Sequence, residues 1–272
     1  MTIDYIKLSP TGNITLLVTS HVPRDRQAAV AARLLKAVGG EQVGYVEPAA
    51  DPRACARLQM MGGEFCGNAS MSLGAVLCRD AGLAPGAVSE PVIEVSGCDT
   101  PVPCRIRREA DGWIGTVRMP LPTRLGLREI LVDGGSMTVP AVEMPGITHL
   151  LLPAGAGLDE AQLRRRLPEW NRQIAADALG ALLWDEAAAT IDPLVYVPSA
   201  GTLVREHGCG SGSAAVGGWL AVRDGRDREV DVLQPGGSIT ARARLDASGA
   251  LTMLTITGRV VLLEEGRVEI DA

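Results

Sequence analysis

The feature that most constrains this chain is a motif it carries twice. Gly62-Gly63-Glu64-Phe65-Cys66-Gly67-Asn68-Ala69-Ser70 in the first half is echoed by Glu206-His207-Gly208-Cys209-Gly210-Ser211-Gly212-Ser213 in the second. Both read Cys-Gly-polar-small-Ser, and both run into an apolar, Ala-rich segment. The two cysteines stand about half a chain apart. Such an echo predicts a duplicated half-domain, each copy presenting one thiol at the start of a helix.

Gly67 and Gly210 let the backbone turn tightly and approach a ligand closely. Asn68 and Ser211 are the expected capping residues. Ala69 to Ala81 and Ser213 to Val222 carry small and apolar residues at helical spacing. A thiol at a helix start feels free N–H groups and the positive end of the dipole, which draws its pKa from about 8.5 into a range of roughly 3.5–7.5. The same N–H groups suit a carboxylate. Two such thiols facing one carboxylate-bearing carbon predict a reaction: Cys66 and Cys209 are the candidate catalytic pair, one removing the α-proton and the other delivering a proton to the opposite face. The helix starts would hold the carboxylate as it gains enolate character. Gly67, Asn68, Gly210 and Ser211 are therefore candidate substrate-binding residues. This chemistry needs neither pyridoxal phosphate nor a metal, and no cofactor is expected. Cys55, Cys78, Cys98 and Cys104 lack the paired context and read as structural.

Bulk properties narrow the alternatives. A chain of 272 residues, 46% hydrophobic and 21% charged, is long enough for two globular domains. A net charge of −6 with 3% aromatics disfavours a nucleic-acid groove. No apolar run approaches the ~20 residues that span a bilayer, so no membrane partner is expected. The first residues lack the pattern of a signal peptide, and six cysteines without an export signal point to reduced thiols in the cytoplasm. There is no Cys-x-x-Cys and there are three histidines, so no metal site is expected. Gly208-x-Gly210-x-Gly212 lacks dinucleotide-loop spacing, and no Gly-Lys-Ser/Thr phosphate loop is present. The partner is a small molecule; the oligomeric state stays open, with a homodimer the candidate assembly.

Along the chain, strand-like segments flank the turn Ser9 to Asn13, and Asn13 reads either as a turn residue able to take positive φ or as a substrate contact. Residues 23–38 read as an amphipathic helix ending at Gly39-Gly40. Gln42 opens a short strand, either at an exposed edge or aimed into a cleft. Residues 54–61 form another strand, and strands follow near 92–96, 102–108 and 113–118. Met119-Pro120-Leu121-Pro122 is the internal boundary. Strands at 129–132 and 137–143 lead to the turn at Pro145, and His149 then starts a strand, bound to the backbone or facing the ligand. Residues 158–167 and 171–184 read as helices, Asp185 to Asp192 as a loop, and Leu194 to Val197 as a strand. Near Cys209, Glu206 is the candidate for the substrate amine, with His207 the alternative. Strands at 229–233, 238–245, 250–256 and 259–270 close the chain. The expectation is an α+β fold of two pseudo-symmetric domains, each a curved, mostly antiparallel sheet around a central helix, with the active site in the interdomain cleft. One half covers 1–118 with a strand returning at about 263–272; the other covers 119–262.

Gly12-Asn13, Glu41-Gln42, Cys66-Gly67-Asn68, Pro145 to His149, Cys209-Gly210-Ser211-Gly212 and Gln234-Pro235-Gly236-Gly237 together resemble the diaminopimelate-epimerase superfamily of cofactor-independent amino-acid racemases and epimerases. The chain departs from the diaminopimelate enzymes at three places. Ile147-Thr148-His149 stands for Asn-Pro-His, Pro198-Ser199-Ala200 for a Glu-Arg-Gly segment, and Leu58-Gln59-Met60 for a segment with asparagine. Without those groups a second charged head would be buried with poor partners, at a cost of a few kcal/mol. Gly-Gly-Glu-Phe-Cys-Gly-Asn-Ala with Cys-Gly-Ser-Gly-Ser is similar to the histidine racemases of opine-metallophore biosynthesis, which implies an isomerase acting on histidine. Glu41, His149 and His207 are then candidate side-chain contacts. Two alternatives stand beside this reading: a diaminopimelate epimerase, and an amino-acid-binding protein without catalysis.

Overall fold

The computed structural model of the chain describes residues 1–199 and 201–271. Ala200 of the Pro198-Ser199-Ala200 segment and Ala272, at the end of the expected returning strand, lie outside the described residues. The fold is α+β, and the chain divides into two compact units, Met1–Arg118 with Thr257–Ala272, and Met119–Ile256.

The first unit contains β1 (Thr2–Pro10), β2 (Thr15–Val18), α1 (Arg24–Val38), β3 (Gln42–Glu47), β4 (Ala56–Met60), α2 (Gly67–Asp80), β5 (Val88–Ser89), β6 (Val92–Val95), β7 (Val102–Glu109) and β8 (Gly112–Arg118). β1 is antiparallel to β2, and β2 is parallel to β3 across α1. β3 is antiparallel to β4, β4 parallel to β6, and β6, β7 and β8 continue antiparallel. The second unit contains β9 (Arg124–Val132), β10 (Gly135–Met144), β11 (Ile147–Pro153), α3 (Glu160–Ile174), β12 (Leu179–Asp185), β13 (Thr190–Val197), β14 (Thr202–Arg205), α4 (Gly210–Asp224), β15 (Arg228–Gln234) and β16 (Gly237–Leu245). It repeats the order of pairings. β10 is antiparallel to β11, β11 parallel to β12 across α3, and β12 antiparallel to β13. β13 makes a parallel bridge to β15, which is antiparallel to β16. The last strand, β17 (Leu251–Glu269), runs from the second unit back into the first, where Val260 to Glu269 pair with β1. The duplicated motif is thus the visible part of a duplicated topology.

In each unit the helix after the thiol is the central one. Gly67 to Val76 and Cys78 of α2 are buried, with no polar stripe, as expected of a helix enclosed on all sides. It packs on β1, β2, β7 and β8. Helix α4 is likewise buried, from Gly212 through Gly218 and at Leu220 and Ala221, against β15 and β16. Their small residues let the sheets come close. The flanking helices are amphipathic instead. α1 buries Gln27, Val30, Ala31 and Leu34. α3 buries Leu163, Leu167 and Trp170, whose indole N–H donates to the Leu131 carbonyl at 2.7 Å. Asp159 and Gln162 form a reciprocal capping box at the start of α3.

The second expected helix, 171–184, is not one. α3 runs through Pro168 and ends at Ile174, and Leu179–Asp185 is strand β12. Leu179 to Leu182 and Trp184 are buried: β12 is an inner strand whose Leu179 and Ala181 share a core with α3, while Leu182 meets the start of α4. A strand covered on both faces has no alternation, so periodicity cannot separate it from a buried helix. The expected loop 185–192 shrinks to a tight turn before β13 at Thr190. The strands expected at 129–132 and 137–143 are the inner parts of a longer hairpin, β9–β10, closed at Asp133-Gly134.

Candidate active site

Both thiols occupy the same local geometry. Cys66 is the N-cap of α2, with extended backbone (φ −132°, ψ 112°), and its Sγ accepts the Ala69 N–H. Cys209 is the N-cap of α4 (φ −97°, ψ 100°), and its Sγ accepts the Gly212 N–H. One turn further on, the Ser70 hydroxyl donates to the Cys66 carbonyl at 2.7 Å and the Ser213 hydroxyl to the Cys209 carbonyl at 2.9 Å. This explains the Cys-Gly-polar-small-Ser spacing: sulfur caps the third helical N–H and serine closes the first turn. The sequence expectation that Asn68 and Ser211 cap these helices is corrected, since the thiols do so and Asn68 and Ser211 lie within the first turn. Gly67 and Gly210 are the first helical residues and not tight-turn positions. The glycine that matters for the approach of sulfur is Gly212, where a Cβ would stand 3.0 Å from Cys209 Sγ.

Around Cys66 the partners form a directed chain. The thiol donates to Gln42 Oε1 at 3.0 Å. Gln42 Nε2 donates to Asn13 Oδ1 and to Thr15 Oγ1, both at 2.7 Å, and Asn13 Nδ2 donates to Glu41 Oε2 at 3.1 Å. Gln42 therefore points inward from β3 rather than lying at an exposed edge. Positive φ in the first turn falls on Thr11 and Gly12, so Asn13 is not needed as a turn residue and its buried amide is used for hydrogen bonding.

Around Cys209 the environment differs. The thiol is 2% exposed and its Sγ lies 3.6 Å from Ser211 Oγ. The Glu206 carboxylate accepts a hydrogen bond from it. Burial, then the negative charge and hydrogen bond of Glu206, push the Cys209 pKa well above 9.0, against the lowering effects of Ser211 and the Gly212 N–H. The expected thiolate at neutral pH is thus corrected for this cysteine: desolvation outweighs the helix start, and Cys209 rests as a thiol. Glu206, not His207, faces the sulfur; His207 is exposed and its carbonyl accepts the Gly236 N–H at 2.7 Å. His149 on β11 is fully buried, with Nε2 2.9 Å from Ser211 Oγ. Burial draws its pKa down to about 3, so it is neutral.

One functional side chain escaped the sequence reading. Gln234, at the end of β15, accepts the Cys209 N–H at 2.6 Å and donates to Ser213 Oγ at 2.8 Å, pinning the second motif. Its counterpart is Ser96, after β6, which donates to the Glu64 carbonyl at 2.8 Å. At Gly97 (φ +75°) a Cβ would fall 2.5 Å from the Phe65 nitrogen, so this turn and the first thiol loop are in close contact. The Gln-Pro-Gly-Gly string was noticeable, but a turn motif does not reveal which backbone its first side chain holds. Of the remaining cysteines, Cys78 and Cys104 are buried, Cys98 is half-buried and Cys55 is exposed; burial lifts the Cys104 pKa to about 12. Among the described residues no group of three His, Cys, Asp or Glu side chains could hold a metal ion, and no helix is long and apolar enough to cross a membrane.

Comparison with known proteins shows what the chain as a whole is similar to. The family model described as the histidine racemase CntK N-terminal domain matches residues 2–268. A histidine racemase of Staphylococcus aureus is 31% identical, covering 99% of this chain and 98% of its own. A histidine racemase of Fusobacterium nucleatum is 27% identical over 98% of this chain and 97% of its own. In fold, a hydroxyproline epimerase from Agrobacterium vitis superposes with a TM-score of 0.69 at 16% identity, covering 100% of this chain and 93% of that one. A phenazine biosynthesis protein of the PhzF family from Bacillus anthracis gives 0.67, also at 16% identity, over 99% and 100%.

Proposed function

Because the chain belongs to the histidine racemase family, we propose that it interconverts L- and D-histidine, with Cys66 and Cys209 acting on opposite faces of the α-carbon. It is an isomerase of the racemase type, and the diaminopimelate reading is not favoured. The observation that carries the two-thiol reading is the repeated N-cap: two sulfurs, each at a central helix start, each with the same serine one turn on.

In one direction a thiolate takes the α-proton and the opposing thiol gives up its own. The Cα–H bond breaks, a new one forms on the other face, and the two sulfurs exchange protonation states. The reverse turnover, or exchange with solvent, resets them. Helix-start N–H groups from the two motifs, including Gly67, Asn68, Gly210 and Ser211, would hold the carboxylate as negative charge builds on it. Before Cys209 can act as base its proton must leave, and Glu206 is the adjacent acceptor. Cys66 has the Gln42 carbonyl as its resting acceptor. Asn13 and Glu41, at the far end of that amide chain, and the exposed His207 are the groups available to the α-ammonium or imidazole. The likeness of the two thiol motifs to the histidine racemases of opine-metallophore biosynthesis supports a use of the D-histidine in that synthesis. The six free cysteines support a cytoplasmic setting.

A chiral assay over a panel of amino acids tests the substrate: histidine should turn over fastest by at least about tenfold, a gap of ~1.4 kcal/mol in barrier. Cys66→Ser and Cys209→Ser should each lower racemisation by about a thousandfold or more. Near-normal racemisation by either variant would remove its sulfur from the mechanism.

A further inference from the structure

We propose that His149 is a positioning residue for the second thiol: its Nε2–H donates to Ser211 Oγ and turns that hydroxyl's own proton toward Cys209 Sγ, with Gly180 giving the ring its seat. The proposal deepens the racemase reading and rests on it for its kinetic part only.

Three observations meet here. The Nε2–Oγ distance is 2.9 Å and the Oγ–Sγ distance is 3.6 Å, so Ser211 Oγ stands within reach of both the His149 ring on β11 and the sulfur at the start of α4. The other ring nitrogen, Nδ1, is buried without a hydrogen-bond partner. One nitrogen of a neutral imidazole carries a proton and the other a lone pair. An orphaned N–H is rarer in buried sites than an under-satisfied acceptor, so the proton belongs on Nε2 and the bare lone pair on Nδ1. With Nε2 as donor, Ser211 Oγ accepts, and its hydroxyl proton is left for the nearby sulfur.

The third observation concerns space. Gly180 pairs with His149 across the parallel β11–β12 ladder, and the imidazole lies over it. A Cβ at Gly180 would overlap Nδ1 and stand 2.7 Å from Cε1. Any side chain there forces the ring off Ser211. No conformational demand explains this glycine, because it sits in a regular strand outside the positive-φ positions. His149 thus acts through Ser211 and not as a base of its own.

The test combines a double-mutant cycle with a spectroscopic readout. In ¹⁵N-histidine spectra of the full-length protein, assigned with variants of His21 and His207, His149 should show the neutral Nε2–H tautomer. Gly180→Ala and Ser211→Ala should each disturb that signal. In kinetics, His149→Phe and Ser211→Ala should each lower kcat about tenfold with KM changed less than about twofold, and the double variant should be no worse than either single one. His149→Gln, which can still donate near the Nε2 position, should recover much of the loss. An Nδ1–H tautomer, or losses in the double variant that multiply, would overturn the proposal. Should His149→Phe fail to fold, Gly180→Ala, which displaces the ring, supplies the same cycle with Ser211→Ala. Absence of racemisation by the wild type would refute the racemase reading while the spectra still decide the hydrogen bond.

Discussion

Cys209 and Cys66 share a motif but not an environment. The first is sealed in beside a carboxylate and rests protonated; the second is half-buried and donates a hydrogen bond to an amide oxygen. Sequence spacing made both sulfurs legible, because a thiol, a glycine and a serine recurring at fixed offsets is a local pattern. It could not reveal the pKa of Cys209, which depends on burial by strands far along the chain. Nor could it choose between Glu206 and His207, neighbours that the backbone turns in different directions. His149 supplies a stability prediction. Its folded pKa of about 3 lies below the ordinary value of 6.5, so the unfolded state takes up a proton that the folded state refuses. Stability from this group is complete above pH ~6.5 and declines as pH falls toward ~3, by roughly 5 kcal/mol in all. Urea unfolding of wild type and His149→Gln across that range should show the wild type losing more stability on acidification. Parallel curves would mean that His149 is not buried neutral.

At the scale of elements, the central helices rest on their sheets through glycine. In α4 two adjacent glycines make opposite predictions. A Cβ at Gly217 would stand 2.8 Å from the Ala241 Cβ on β16, whereas at Gly218 the nearest atom is 3.6 Å away. Gly217→Ala should therefore cost about 1–3 kcal/mol through overpacking. Gly218→Ala should be neutral or stabilise by up to about 1 kcal/mol, from helix propensity. Thermal unfolding of the two variants decides this, and equal shifts of the same sign would contradict the packing described. The same scale shows where sequence reading worked and where it did not. α1 and the hairpin strands were readable because one face of each meets solvent. β12 was not, since both of its faces are covered and Leu179 to Trp184 are apolar throughout. Pro168 does not end α3, which continues through it to Ile174, held by Leu163, Leu167 and Trp170 in the core.

At the scale of the whole molecule, the chain is a duplicated topology in which strand, flanking helix, parallel strand, thiol and central helix occur twice in one order. That order was partly visible beforehand because the thiol motifs and the Met119-Pro120 interruption divide the sequence into halves. The parallel crossovers β2–β3 and β11–β12 were not, since pairing partners far apart in sequence leave no local trace. Duplication bears directly on the proposed function: each unit carries one thiol at the start of its central helix, and the two-thiol chemistry proposed above uses one of each. The most direct test is to follow racemisation of unlabelled L-histidine in ²H₂O to low conversion and weigh both enantiomers. Two sulfurs on opposite faces predict one deuterium on the α-carbon of nearly every D-histidine formed, while the remaining L-histidine stays unlabelled. Deuterium appearing equally in both pools, or protium carried from substrate into product, would contradict it.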